Sequence, residues 1–386
     1  MYEIYMLINL NLINNLIILK YNIGVRNKLK KGIYMQNEVK SIQAIIDGHP
    51  DTVQDLLTKK IIDLNVVDGS GWTVLSFLVD KGDRQTVENI LNNQWLSEKA
   101  GVDAANFIRK IGLENGTIAI EKAFLPADTY DSLQKELPNA SFIDAAWALE
   151  ELRVIKTPEE LKKLKIASEK IVECMTDVMQ TTLPGTSTYE IVETMRRKET
   201  EMGLSFEYCL TATGPSFNRA PSNAKWENGN IISLDSGGNL GGYLGDLCRM
   251  GVMGNPTPLM VELLDEIKSI QTAARANVRP GVTGEEIFES ALEEQSKCTH
   301  KDQIIFVAHG MGMIQHEAPH LTSEGLVPYP GTYADRPLST GMVLSVETDM
   351  KNPDVGFIKL EDTIVVTENG HEAYGDESRD WVINQN

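Results

Sequence analysis

Two ten-residue stretches of this chain, PGTSTYEIVE beginning at Pro184 and PGVTGEEIFE beginning at Pro280, align without a gap at an offset of 96 residues. Each follows an amphipathic helical pattern opened by a Thr-Pro pair, Thr157-Pro158 and Thr257-Pro258. Within each copy a Ser or Thr stands three residues before a Glu, Ser187 with Glu190 and Thr283 with Glu286, the capping-box spacing that starts a second helix. Three β-type segments then follow each helix pair: 206–213, 230–237 and 242–252 in the first copy, 303–308, 341–348 and 356–367 in the second. A duplicated set of two helices and three strands restricts the fold to α/β, with two pseudo-symmetric half-domains over 151–386. Two sheets facing each other across a cleft are the expected arrangement.

The first copy carries LDSGGNLGGYLGDLCR (234–249). The apolar IISL before Asp235 reads as a buried strand, and Gly237, Gly238, Gly241 and Gly242 surround Asn239 as in a turn needing positive φ. The chain reverses there, so Asp235 and Asp246 come from neighbouring arms of one hairpin. Two ionised aspartates close together inside a sheet repel and lose hydration, and the arrangement calls for protonation or a cation. The second copy supplies further ligands. In AHGMGMIQHEAPH (308–320), His309 follows the apolar strand IIFV at a strand end, where loops hold functional groups. Glu347 ends the apolar run of GMVLSVETDM, and Glu361 is embedded in GFIKLEDTIVV. A glutamate in an apolar strand is excluded from burial unless paired or coordinated. The remaining histidines His49, His300 and His371 read as structural.

From about residue 151 to 381 these motifs resemble the pita-bread metallohydrolases: methionine aminopeptidase, Xaa-Pro aminopeptidase, prolidase and the metal-free creatinase. The resemblance implies a dinuclear site with Asp235 (DxG), Asp246 (GYxxDxxR), His309 (HGxGxxxHExP), Glu347 and Glu361 (LED) as ligands, Asp246 and Glu361 bridging. Four carboxylates against two divalent cations balance, and oxygen ligands with one imidazole suit Mn, Co, Fe or Zn. The implied chemistry is amide hydrolysis, in which two ions lower the pKa of a shared water and polarise the scissile carbonyl. Glu347 doubles as proton shuttle, and His316 matches the family histidine that hydrogen-bonds substrate.

Three positions depart from the family pattern. Ser222, in GPSFNRAPS, stands where prolidases and Xaa-Pro aminopeptidases carry a substrate-contacting histidine. Lys359 replaces an arginine usual two residues before the last glutamate, and Gln315 replaces an aliphatic residue. Ser222, Tyr243 of the GYxxDxxR motif and His320 are the candidate substrate contacts, although His320 has no role assigned in the family. The expected activity is Xaa-Pro-type aminopeptidase action on a peptide or small amide. A non-peptide amide hydrolase or lyase on the same fold, and a binding protein that kept the cleft as an interaction surface, are the alternatives.

Composition narrows the partners. Lys and Arg total 36 against 55 Asp and Glu, a formal charge of −19 with no basic block, which argues against nucleic acid. The four cysteines lie far apart without a CxxC pair, which fits a reducing, cytoplasmic setting. Residues 1–34 include an apolar stretch, but its Asn9, Asn11, Asn14 and Asn15 and its length argue against a membrane span. They read as a mis-start or as disordered. Residues 35–95 read as helical, and 62–91 resemble an ankyrin repeat, with Asn65 and Asp68 before the turn Gly69-Ser70-Gly71 and then Thr73 and Leu75. That segment is a candidate contact for a protein partner. Residues 96–150 alternate β and α and read as the truncated end of a creatinase-type N-terminal domain. By the same resemblance the chain is expected to form a homodimer.

Overall fold

A computed structural model of the chain describes residues 5–8, 17–18, 97–322 and 333–386. The chain divides into two compact units, 1–149 and 150–386. The ankyrin-like pattern lies outside the described residues, as does most of 1–34. Among the described residues no helix is long and apolar enough to cross a membrane.

In the first unit, helix α1 (Ser97–Lys110), strand β1 (Thr117–Ile120), helix α2 (Ala127–Glu136) and strand β2 (Ser141–Asp144) follow in turn, and α3 (Ala146–Arg153) begins at its end. β1 and β2 pair in parallel, as a strand–helix–strand crossover requires, and Tyr5–Ile8 pairs in parallel with the other edge of β1. Ala105 and Ile108 of α1 and Leu133 of α2 are buried with Ile118 and Ile120 of β1.

The second unit repeats one plan. Its first half comprises α4 (Pro158–Thr181), α5 (Thr188–Glu201), β3 (Ser205–Thr213), β4 (Ile231–Leu240) and β5 (Tyr243–Met253). Its second comprises α6 (Pro258–Ala276), α7 (Gly284–Gln295), β6 (Ile304–Gly310), β7 (Val343–Asn352) and β8 (Gly356–Val366). Thr157 and Thr257 are the N-caps of α4 and α6 with proline in the first turn, and the reciprocal boxes Ser187/Glu190 and Thr283/Glu286 open α5 and α7. Each cap satisfies amide groups that the first helical turn leaves without partners.

The strands form one sheet in the order β6-β7-β8-β5-β4-β3, with the short β9 (His371–Tyr374) on β8 and β10 (Val382–Asn384) on β5. The expectation of two sheets facing across a cleft is therefore corrected. The halves join edge to edge, Glu361 of β8 opposite Cys248 of β5, because the last strand of each copy would otherwise present unpaired amide and carbonyl groups.

Alternation divides each strand between two faces. On one face Ile232, Leu234 and Leu247 are buried with Ile171, Met175, Ile191 and Met195 of α4 and α5. Leu344, Val346, Leu360 and Ile364 are buried with Leu263, Ile267, Ile270 and Ile287 of α6 and α7. Each such side chain taken wholly out of water contributes roughly 1.5–3 kcal/mol. On the same face the fully buried Arg249 pairs with Asp362 at 2.9 Å and donates to the carbonyl oxygens of Cys248, Glu361, Gly375 and Glu377. Asp362 also meets Arg275 at 3.1 Å and Arg379 at 3.0 Å. With helices and this ionic cluster behind the sheet, the opposite face carries the candidate ligands.

The hairpin between β4 and β5 turns at Gly241 (φ 58°) and Gly242 (φ 92°). Gly237 and Gly238 are not turn residues, which corrects that part of the expectation. They lie within β4, where a Cβ at 237 would come 2.1 Å from the Tyr208 ring and one at 238 would come 2.8 Å from the Glu199 carboxylate. A glycine inside a strand here marks close approach by a neighbour.

Candidate metal centre

Register gathers the five expected ligands on one face. Asp235 lies opposite Cys248, and Asp246, two residues before Cys248, lies opposite Gly237. Cys248 also faces Glu361, which faces Glu347 on its other side. Glu347 lies opposite Val307, two residues before His309. Directly opposed residues share a face and so do residues two apart, so Asp235, Asp246, Glu361, Glu347 and His309 all project to the same side. Carboxylate or imidazole atoms of Asp246, His309 and Glu361, all buried, lie within 4.8 Å of one another.

The donors are oriented. His309 Nδ1 lies 3.1 Å from the Gly310 carbonyl, which can only accept, so the ring proton belongs on Nδ1 and Nε2 keeps its lone pair. Nε2 stands 3.8 Å from Glu347 Oε1 and 3.9 Å from Glu361 Oε1. Donors held to one ion by bonds of about 2.1 Å are spaced roughly 3–4 Å apart. Ser345 Oγ donates to Glu361 Oε1 at 2.7 Å, and the Tyr208 hydroxyl donates to Asp246 Oδ1. Burial raises the Asp246 carboxyl well above the usual carboxylate range, with the charges of Glu361 and Asp235 adding to the rise. Burial raises Asp235 too, against the pull of Lys359. Such a group of acids resists ionising together until positive charge enters, and its oxygen-rich donor set with one imidazole fits a divalent cation.

Two protein cations already touch this set. Lys359 Nζ contacts Asp235 Oδ2 at 2.7 Å, Glu361 Oε2 at 2.8 Å and Glu347 Oε2. Arg219 Nη2 also reaches Asp235 Oδ2, its guanidinium stacked 4.9 Å from the Phe357 ring centre.

β6 ends at Gly310, and the chain then folds back on itself. A Cβ at Gly310 would come 2.4 Å from the Glu317 carbonyl, and one at Gly312 the same distance from the Glu317 carboxylate. The buried Glu317 ties this loop down through Lys156 at 3.0 Å and Arg153 at 2.9 Å. His316 thereby stacks on His309 with ring centres 3.9 Å apart while keeping an edge exposed. Desolvation, helped by His309, Lys359 and His320, lowers its pKa, so the ring is neutral.

The candidate substrate residues are not brought together. The amide of Ser222 donates to Thr188 Oγ1, its carbonyl accepts from Tyr189, and its hydroxyl accepts from the Ala224 amide, so the residue fastens its loop to the start of α5. From the same loop Arg219, three positions earlier, is the residue that reaches Asp235. The Tyr243 hydroxyl donates to Glu160 at 2.5 Å in the N-terminal turn of α4. His320 is buried with Nε2 at 2.5 Å from Glu150. Arg219 and Tyr208 were not among the expected site residues. Gly237 carried the signal for Tyr208, since a glycine within a strand needs an occupant for its missing side chain. Arg219 sits in an irregular loop and had no periodic signal.

Behind Asp235, Ser236 Oγ donates to the fully buried Glu199 at 2.8 Å, while Glu199 Oε2 has no hydrogen-bond partner. Burial lifts this carboxyl from 4.5 to about 7. Between those values the folded chain holds a proton that the unfolded chain has released, so stability falls as pH rises through the window and levels off above it. Glu199→Gln is expected to stabilise the protein by roughly 2–3 kcal/mol more at pH 8 than at pH 5. Denaturant unfolding showing the same change at both pH values would refute this.

Comparisons with known proteins identify the family. The profile of metallopeptidase family M24 matches residues 162–368, and that of the creatinase/prolidase N-terminal domain matches 72–155, starting within the stretch read as ankyrin-like. The Xaa-Pro dipeptidase of Lactobacillus helveticus is 28% identical over 323 residues, covering 77% of this chain and 83% of that protein. Among solved structures, a dipeptidase from Pyrococcus horikoshii OT3 is similar with a TM-score of 0.65 at 26% identity, over 73% of this chain and 78% of that one. The X-Pro aminopeptidase of Thermotoga maritima MSB8 shares the fold with a TM-score of 0.65 at 21% identity, over 72% and 78%.

Proposed function

This chain belongs to metallopeptidase family M24, and from that membership we propose that it is a metal-dependent hydrolase of short peptides, cleaving the bond that precedes a proline. The observation that carries the reading is the convergence of Asp246, His309 and Glu361, with Glu347 and Asp235, on one face of the sheet. The resemblance to prolidases and the names of the relatives support Xaa-Pro specificity. The ligand set has donors enough for two divalent ions, with Mn, Co, Fe and Zn all compatible.

Bound there, a divalent ion supplies Lewis-acid polarisation of the scissile carbonyl and lowers the pKa of the attacking water. The chain's own residues do the rest. Glu347, 15% exposed at the edge of the group, takes the proton from water and returns it to the leaving nitrogen. The neutral His316 ring donates a hydrogen bond to the carbonyl oxygen as charge develops on it. Tyr208 holds Asp246 in place through its hydroxyl and also lines an open cavity of about 470 Å³ with Leu210, Leu244, Met313 and Ile314. These apolar walls suit a hydrophobic substrate residue.

The test is an assay of the full chain on a panel of Xaa-Pro dipeptides and tripeptides, before and after chelation and with Mn or Co restored. Metal-dependent release of proline, fastest with apolar Xaa, is the expected result. Absence of turnover on every Xaa-Pro peptide, with hydrolysis of a non-peptide amide, would transfer the assignment to the non-peptide alternative.

A further inference from the structure

Glu347 and Glu361 each divide their two oxygens between two positions. Both Oε1 atoms stand toward His309 Nε2, at 3.8 and 3.9 Å, and both Oε2 atoms meet Lys359 Nζ. Asp235 Oδ2 completes the second position at 2.7 Å from the same ammonium. The two glutamates thus bridge two cation positions, one bordered by His309 and the other filled by a side chain of the protein. We propose that Lys359 takes the place of a second metal ion, so that this centre holds one divalent ion, on the His309 side, beside a built-in ammonium. The proposal rests on the metal-dependent reading above and decides how many ions serve it.

The fit is chemical as well as positional. Lysine presents a compact point charge with three donors, and three carboxylates surround it here. Its arm reaches them because position 359 shares the face of position 361 on β8. The Glu361 contact, at 2.8 Å, is as close as that to Asp235 at 2.7 Å. Charge agrees. Four ligand carboxylates carry −4, Lys359 and Arg219 return +2, and the remaining −2 matches one divalent ion rather than two. A second ion would enter a position crowded by the ammonium, with Asp235 Oδ2 engaged by both side chains.

The experiment is a titration of the metal-free full chain with Co²⁺, followed by calorimetry and by elemental analysis after gel filtration. Wild type is expected to retain one equivalent. Lys359→Met is expected to retain two, the second binding at least about tenfold more tightly than any second event in wild type. Two equivalents in wild type with affinities within tenfold of each other would overturn the proposal while leaving the metal-dependent reading intact. One equivalent in a folded Lys359→Met would also overturn it. No bound Co²⁺ in wild type would overturn that reading and this proposal together. The wild-type stoichiometry decides even if Lys359→Met does not fold.

Discussion

Glu361→Gln is expected to remove metal and activity together, whereas His316→Ala is expected to remove most activity while metal is retained. Glu361 stands at the centre of the ligand group, opposite both Glu347 and Cys248 and 3.9 Å from His309 Nε2. Its amide has one neutral acceptor where the acid offered two charged oxygens. Losing the several kcal/mol of charge stabilisation that a bound ion gives the transition state should lower kcat/KM by ~10³ or more. His316 stacks on His309 and is not one of the five candidate ligands, so its loss removes a hydrogen-bond donor to the reacting carbonyl and no ligand. One such donor is worth about 10²–10³ in kcat. Elemental analysis beside steady-state kinetics separates the two variants. A His316→Ala enzyme within threefold of wild type would strip that ring of its proposed role, and metal retained by Glu361→Gln would place the ion elsewhere.

Arg249→Met is expected to destabilise the second unit by ~3–5 kcal/mol, the cost of leaving several buried carbonyl oxygens without donors. Methionine fills the volume of the arm but supplies none of the donors. Four carbonyl oxygens, of Cys248, Glu361, Gly375 and Glu377, lose their guanidinium partner, and Asp362 loses its contact at 2.9 Å. Arg275 and Arg379 still meet Asp362, so the charge is not stranded. The loss therefore falls mainly on carbonyls left without donors in the interior. Urea denaturation followed by circular dichroism measures it, and a change below about 1 kcal/mol would show that these carbonyls find other partners. Since Arg249 joins β5 to β8 behind Cys248 and Glu361, partial loss of metal affinity is expected alongside.

Much of the centre was legible because strands and helix starts announce themselves locally. The capping boxes at Ser187 and Thr283 depend on side chains three residues apart, and the structure contains both. Glutamates within apolar runs signalled inward acids, since an unpartnered carboxylate is not tolerated there. The period of two also sorts Glu361 from its neighbour Asp362, one toward the ligands and the other onto Arg249. The surroundings of Ser222 and Tyr243 were not legible, for the opposite reason. Each sits in or beside an irregular segment, where position along the chain does not dictate direction, and each spends its polar groups on a nearby helix start.

By itself the sequence determined the duplicated α/β plan, the hairpin that carries Asp235 and Asp246, and the five ligand types in their order, because these follow from spacing within a few residues. Only the tertiary structure decided that the two copies share one sheet, that Arg219 and Tyr208 close on the aspartates, and that Lys359 lies among three carboxylates. The shared sheet and the Lys359–Asp235 contact depend on register between strands more than a hundred residues apart in the chain, which is settled by the burial of the whole opposite face against the helices and not by any local pattern.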